Sequence, residues 1–98
     1  MTEIGANEVR NILLEVLSGY TGLCEGIASM QDEKLLKINL RDEFGMDSLD
    51  FEDMFDELYE LYGIAVDMNN QPAQFSFKNE PTVENFIETV NYHLSLGA

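Results

Sequence analysis

Basic residues, cysteine and proline are all scarce in this chain of 98 residues. Five lysines and arginines stand against 19 aspartates and glutamates, which gives a formal net charge of −14. Nucleic acids and anionic membrane surfaces repel such a chain, whereas basic protein surfaces attract it. We therefore expect a protein partner, and we expect neither nucleic-acid binding nor stable membrane insertion.

The other absences narrow the class of protein further. A single cysteine, Cys24, excludes an internal disulfide and a thiolate metal site within the chain. The N-terminal residues show neither the basic nor the apolar segment of a secretory signal, and no apolar run approaches the roughly 18 residues of a membrane span. We therefore expect a cytoplasmic protein. Because 98 residues suffice for one modest core, we expect a single domain over residues 1–98.

Apolar residues at helical spacing predict a first amphipathic helix near the N-terminus (Val9, Ile12, Leu13, Val16, Leu17 and Tyr20). It starts at about Glu3 or Asn7, since Thr2 and Asn7 are both suitable N-caps, and it ends at about Ser18. Residues 19–46 are predicted as a long, glycine-containing connection, with a turn or two of helix at residues 32–37. Its expected anchors in the core are Ile27, Leu35, Ile38, Leu40 and Phe44.

A second helix is predicted after Asp47, a good N-cap, and before Gly63, a suitable C-terminal glycine. A last helix follows the N-cap Thr82. Between them, residues 67–80 are polar and contain a short extended segment or a loop held by two phenylalanines. The chain is therefore expected to be an all-α, irregular bundle of three main helices with long loops and a short or irregular third element.

The second helix has an apolar stripe (Phe51, Met54, Phe55, Leu58, Leu61 and Tyr62) and an opposite acidic face (Asp50, Glu52, Asp53, Asp56, Glu57 and Glu60).

The start of the second helix carries the clearest motif, Phe44-Gly45-Met46-Asp47-Ser48-Leu49-Asp50. It resembles the prosthetic-group site of acyl carrier proteins, which are small acidic helical bundles with Asp-Ser-Leu at this position. The run Thr82-Val83-x-x-Phe86-Ile87 resembles the start of the last helix of that family. The resemblance extends over most of the chain and is weakest in the loops.

The resemblance implies that Ser48 accepts 4′-phosphopantetheine from coenzyme A through a separate phosphopantetheinyl transferase, with magnesium. The thiol of that group would hold an acyl or aminoacyl cargo as a thioester. The chain would be a monomeric, non-catalytic carrier that presents the cargo to enzymes of lipid, envelope or secondary-metabolite biosynthesis. Asp47 would cap the helix beside the phosphodiester. The residues implied to contact basic patches of partner enzymes are Asp47, Leu49, Glu52, Asp53 and Asp56.

Three positions depart from the family pattern. Aliphatic residues are frequent four and eight positions after the serine, where this chain has Glu52 and Asp56. Tyr59 occupies a position at which an acidic residue is common. These differences favour a specialised carrier with few partners over the housekeeping carrier of fatty-acid synthesis.

The same residues permit other interpretations. Ser48 can be a plain helix N-terminus, and the aromatics of the second helix (Phe51, Phe55, Tyr59 and Tyr62) can be core and rim residues or can line a cavity for an acyl or aryl cargo. An enzyme is disfavoured because Cys24 and His93 have no visible catalytic partners. An EF-hand is excluded because its loop pattern is absent. The main rival is an unmodified acidic adaptor or nucleic-acid mimic that binds a basic protein and does not need Ser48.

Overall fold

The computed structural model describes residues 3–66, 77 and 79–96. These residues form no strand, and a single isolated antiparallel bridge joins Asn39 to Thr82. The expectation of an all-α bundle is confirmed. Within the described ranges, no helix is both long enough and apolar enough to cross a membrane. The helices are α1 (Ala6–Val16), α2 (Thr21–Ser29), α3 (Asp32–Leu36), α4 (Leu40–Phe44), α5 (Ser48–Tyr62) and α6 (Val83–Leu96).

Helix α1 is central, since it contacts α2, α3, α5 and α6. The predicted N-cap Asn7 is wrong, because α1 begins after Gly5 and the Asn7 carboxamide oxygen instead accepts a hydrogen bond from the Arg10 guanidinium at 2.7 Å. The other predicted cap, Thr2, lies outside the described residues. The predicted end at Ser18 is two residues too late. Of the predicted stripe, Val9, Ile12, Leu13 and Leu17 are buried and Val16 is half-buried. The prediction is wrong for Tyr20, which lies beyond the end of α1 and is 64% exposed.

The prediction of a long loop over residues 19–46 is wrong, because α2, α3 and α4 occupy most of it. Only the short helix at residues 32–37 was expected, and it is confirmed as α3. Gly22 and Gly26, which suggested loop, lie on the exposed side of α2, where a glycine costs about 1 kcal/mol relative to alanine. Complete burial of Ile27 offsets this cost. Of the five predicted anchors, Ile27, Leu35, Ile38 and Leu40 are buried and Phe44 is half-buried.

Arg10 links α1 to the two helices that follow it. Its guanidinium donates to the carbonyl oxygens of Ile27 (3.1 Å) and Met30 (2.6 Å), at the end of α2. It also pairs with Asp32, the first residue of α3, at 2.9 Å. The Arg10 side chain is 14% exposed and that of Asp32 is 59% exposed. The bonds to the backbone therefore contribute more than the ion pair, because exposed ion pairs are weak.

We predict that Arg10→Ala lowers the free energy of unfolding by about 1.5–3 kcal/mol, because two backbone carbonyls lose a charged donor. Asp32→Asn removes only the exposed partner and should cost less than about 1 kcal/mol. Urea denaturation followed by circular dichroism measures both. Equal losses in the two variants would contradict the assignment of Arg10 to the backbone carbonyls.

Helix α5 begins and ends at the residues predicted from the sequence, and α6 begins after its predicted N-cap. Asp47 caps α5, Gly63 ends it with a φ of 69°, and the Thr82 hydroxyl accepts the amide N–H of Asn85 at 3.1 Å before α6. Leu61 was predicted in the apolar stripe of α5, which is wrong, because its side chain is 44% exposed. Tyr62 is half-buried and accepts a hydrogen bond from the Asn11 side chain at 3.1 Å.

Phe77 anchors the segment between α5 and α6 in the core, where it is 2% exposed. Its ring centroid lies 5.1 Å from that of Phe51, 6.1 Å from that of Phe55 and 5.6 Å from that of Phe86. One of the two phenylalanines expected to hold this segment is thus buried as predicted. The rest of the predicted irregular element, residues 67–76 and 78, lies outside the described residues.

Candidate functional site

The turn before α5 is fixed on both sides. Gly45 follows α4 in the left-handed conformation with a φ of 67°. Its amide N–H donates to the carbonyl of Arg41 at 3.0 Å, and the next amide, that of Met46, donates to the carbonyl of Leu40 at 3.1 Å. The Gly45 bond, to the carbonyl four residues back, is that of an αL helix cap. Met46 is 1% exposed, so its side chain holds the turn against the core.

A reciprocal cap then starts α5. The Asp47 carboxylate accepts the amide N–H groups of Leu49 (3.0 Å) and Asp50 (3.1 Å). In return, the Asp50 carboxylate accepts the Asp47 amide N–H at 3.0 Å. This is a capping box, and it fixes the backbone around Ser48 from both directions. Sequence reasoning placed Asp50 only on the acidic face and missed this role, although an acid three residues after an N-cap is its usual signal.

Ser48 is the first residue of α5 and its side chain is exposed. Neither its hydroxyl nor its amide N–H forms a hydrogen bond within the part of the chain that is described. Other serines differ: the hydroxyls of Ser29 and Ser95 donate to backbone carbonyls, at 2.9 Å and 2.6 Å. Ser18 also has an exposed hydroxyl without such a bond. What distinguishes Ser48 is therefore its place at the positive end of a helix, where an anion is stabilised.

The predicted partner-binding residues lie on the solvent side of α5. Leu49 is 67% exposed, and Asp47 beside it is exposed as well. Four members of the acidic face are exposed (Glu52, Asp53, Asp56 and Glu60), whereas Asp50 and Glu57 are half-buried. Glu52, Asp56 and Glu60 follow one another at intervals of one helical turn, and Asp53 lies beside Glu52. Leu49 is therefore an apolar side chain at the N-terminal end of a row of carboxylates.

The aromatics of α5 do not form one common lining. Phe51 and Phe55 belong to the core, whereas Tyr59 is 57% exposed and Tyr62 is half-buried. A groove with a volume of about 410 Å³ lies at the C-terminal half of the helix. Its lining residues are Phe55, Asp56, Tyr59, Glu60, Ala65 and Val66.

Cys24 and His93 lie away from Ser48 in the sequence and in different helices. Cys24 is half-buried in α2 and its thiol donates to the carbonyl of Leu17 at 3.2 Å. His93 is half-buried near the end of α6. Within the described residues, neither side chain forms a hydrogen bond to the start of α5.

Gly45→Ala tests the turn that precedes Ser48. A β-carbon there would meet no atom within 4 Å, so the cost comes from the left-handed backbone alone, about 1–2 kcal/mol. Gly22→Ala is the matched control, because it lies in α2 with equally open space. It should stabilise the fold by up to about 1 kcal/mol. Urea denaturation measures both, and a shift of both variants in the same direction would be inconsistent with this turn.

Comparison with known proteins gave no match among protein-family models, curated proteins or solved structures.

Proposed function

We propose that this chain is an acyl carrier protein with 4′-phosphopantetheine attached to Ser48. The observation that carries the proposal is the exposed Ser48 hydroxyl, free of hydrogen bonds within the described residues, at the first position of α5. Buried Met46 and the reciprocally capped Asp47 precede it. A transferase can approach such a hydroxyl without unfolding any part of the turn.

The residues present suit an attached phosphodiester. Its negative charge would lie at the positive end of α5, which contributes about 0.3–1 kcal/mol at an exposed site. The amide N–H of Ser48 is an available donor beside it. The Asp47 carboxylate is also negative and shares this helix end, where it accepts hydrogen bonds from two amides.

Ser48 supplies only its oxygen to the modification. A bond forms between the Ser48 Oγ and the phosphorus that bears the pantetheine arm, and the pyrophosphate bond of coenzyme A breaks, which releases adenosine 3′,5′-bisphosphate. The hydroxyl proton passes to a base of the transferase. Once attached, the group supplies a terminal thiol that holds an acyl cargo as a thioester. The chain itself then acts as a carrier, and the chemistry belongs to the enzymes that it visits.

Partner enzymes are proposed to contact the acidic face around Leu49. The exposed carboxylates of Glu52, Asp53 and Asp56 suit arginine and lysine patches, and the exposed Leu49 suits a small apolar contact among them. Such rim charges act mainly on the association rate and on its salt dependence. Because Glu52 and Asp56 replace aliphatic residues, we propose a specialised carrier of lipid, envelope or secondary-metabolite synthesis.

The second candidate is an unmodified acidic adaptor for a basic protein. It is favoured by the same exposed carboxylates, none of which forms an ion pair among the described residues. Such an adaptor would need α5 but not the Ser48 hydroxyl.

Incubation with coenzyme A, magnesium and a broad-specificity phosphopantetheinyl transferase separates the two functions. The carrier should gain the mass of one phosphopantetheine group, read by intact-protein mass spectrometry. An adaptor should keep its original mass with every transferase of a competent panel. A known carrier protein in the same reaction shows that each transferase is active.

A further inference from the structure

The groove at the C-terminal half of α5 is a product of the turn at Gly63. That glycine is left-handed, and its amide N–H donates to the carbonyl of Tyr59 at 2.8 Å. Ile64 then enters the core at 6% exposure, whereas Ala65 stays exposed and Val66 is half-buried. Ala65 and Val66 therefore form one side of the groove, and α5 forms the other.

The groove is negatively charged. Asp56 and Glu60 are exposed, one helical turn apart, and neither forms an ion pair within the described residues. The last turn of α5 contains no basic residue, although the carbonyls there give the helix end a partial negative charge. A cation is thus favoured at this position by the two side chains and by the backbone.

The remaining lining is aromatic and apolar. Tyr59 lies between Asp56 and Glu60 in the sequence and exposes 57% of its surface. Phe55 and Val66 add apolar surface beside it. An exposed ring with carboxylates next to it is a favourable environment for a planar cation, which can stack on the ring and donate to the carboxylates together.

We propose that this groove binds an arginine side chain of a protein partner, with the guanidinium on the Tyr59 ring and hydrogen-bonded to Asp56 or Glu60. Arginine fits better than lysine, because its planar group stacks and donates several hydrogen bonds, and because it is more weakly hydrated. A fatty acyl chain fits worse, because it would cover the two carboxylates without pairing them. The binding does not depend on modification of Ser48.

The test uses the full, unmodified chain with two short peptides, acetyl-Leu-Arg-Leu-amide and acetyl-Leu-Lys-Leu-amide. Affinities come from NMR titration, with the ring signals of Tyr59 as reporters. We expect the arginine peptide to bind more tightly, and Tyr59→Leu to weaken it roughly 3- to 30-fold. Tyr59→Phe, which keeps the ring, should bind almost as well as the unaltered chain. Tyr20→Leu, a change at another exposed tyrosine, should leave the affinity unchanged.

A charge-matched pair of variants separates this site from general attraction to an acidic protein. Asp56→Asn with Glu60→Gln should remove the preference for arginine, whereas Glu84→Gln with Glu88→Gln should keep it. Both double variants lose two exposed charges one turn apart. Equal weakening by the two, or equal affinity for both peptides, would overturn the proposal.

Two further measurements distinguish arginine binding in the groove from the carrier function of Ser48. Ser48→Ala should bind the arginine peptide normally, so a failed transferase reaction leaves this inference standing, and failed peptide binding leaves the carrier function standing. If an acylated form shifts the Tyr59 ring signals and the arginine peptide does not, the groove belongs to the cargo and the proposal is wrong.

Discussion

Ser48→Ala is expected to abolish phosphopantetheine transfer completely, because in the proposed carrier the group is attached through the Ser48 Oγ alone. Ser18→Ala, which removes another exposed hydroxyl, should be modified at the normal rate. Neither change removes a hydrogen bond within the described residues, so the free energy of unfolding should change by less than about 0.5 kcal/mol. Intact mass and a thermal melt, measured on the same samples, give both results.

The site of attachment needs fragment-ion data. Cleavage after arginine and lysine yields one peptide over residues 42–78, and this peptide contains both Ser48 and Ser76. We expect the added mass on Ser48 alone. Full modification of the Ser48→Ala variant would show that the proposed attachment site is wrong.

The largest expected effect on stability is that of Phe86→Ala, at about 3–5 kcal/mol. The Phe86 side chain is fully buried, and its ring centroid lies 5.0 Å from that of Phe55 and 5.6 Å from that of Phe77. Truncation would remove these contacts and leave a cavity between α5 and α6. Since small domains are stable by only about 5–15 kcal/mol, much of the total would be lost.

Urea denaturation of Phe86→Ala and of Tyr20→Ala provides the comparison. Tyr20 is 64% exposed, so its truncation should cost less than about 0.5 kcal/mol. A loss below about 1 kcal/mol in Phe86→Ala would contradict the aromatic core as described.

The sequence was sufficient for the elements with long apolar periodicity and distinct caps. In α5 and α6 the signals agree, because Asp47 and Thr82 accept amide hydrogens at the helix starts and Gly63 takes the left-handed conformation. Helices α2 and α4 were missed for a physical reason. Helices of five to nine residues are unstable alone, and tertiary contacts hold them. In α2, the Ile27 side chain is buried in the core, and Arg10 donates a hydrogen bond to the Ile27 carbonyl. Arg10 and Ile27 are far apart in the sequence, so helical periodicity does not show this contact.

One part of the candidate site was predictable from the local sequence, and another part was not. Ser48 and Asp47 belong to one local motif, so their position at the start of α5 was predictable from the sequence. The groove was not, because Tyr59 and Val66 form a common surface only through the turn at Gly63. The exposure of Leu61 was also missed, since helical spacing alone does not show how wide the buried side of a helix is.

We propose that Ser48 carries a phosphopantetheine group in the living cell. The most direct measurement is the mass of the chain purified from the cells that naturally make it, followed by fragmentation of the peptide over residues 42–78. We predict one phosphopantetheine on Ser48, either as a free thiol or with an acyl cargo. A chain that is consistently unmodified at Ser48, from cells in which other carrier proteins are modified, would contradict the claim and favour the acidic adaptor.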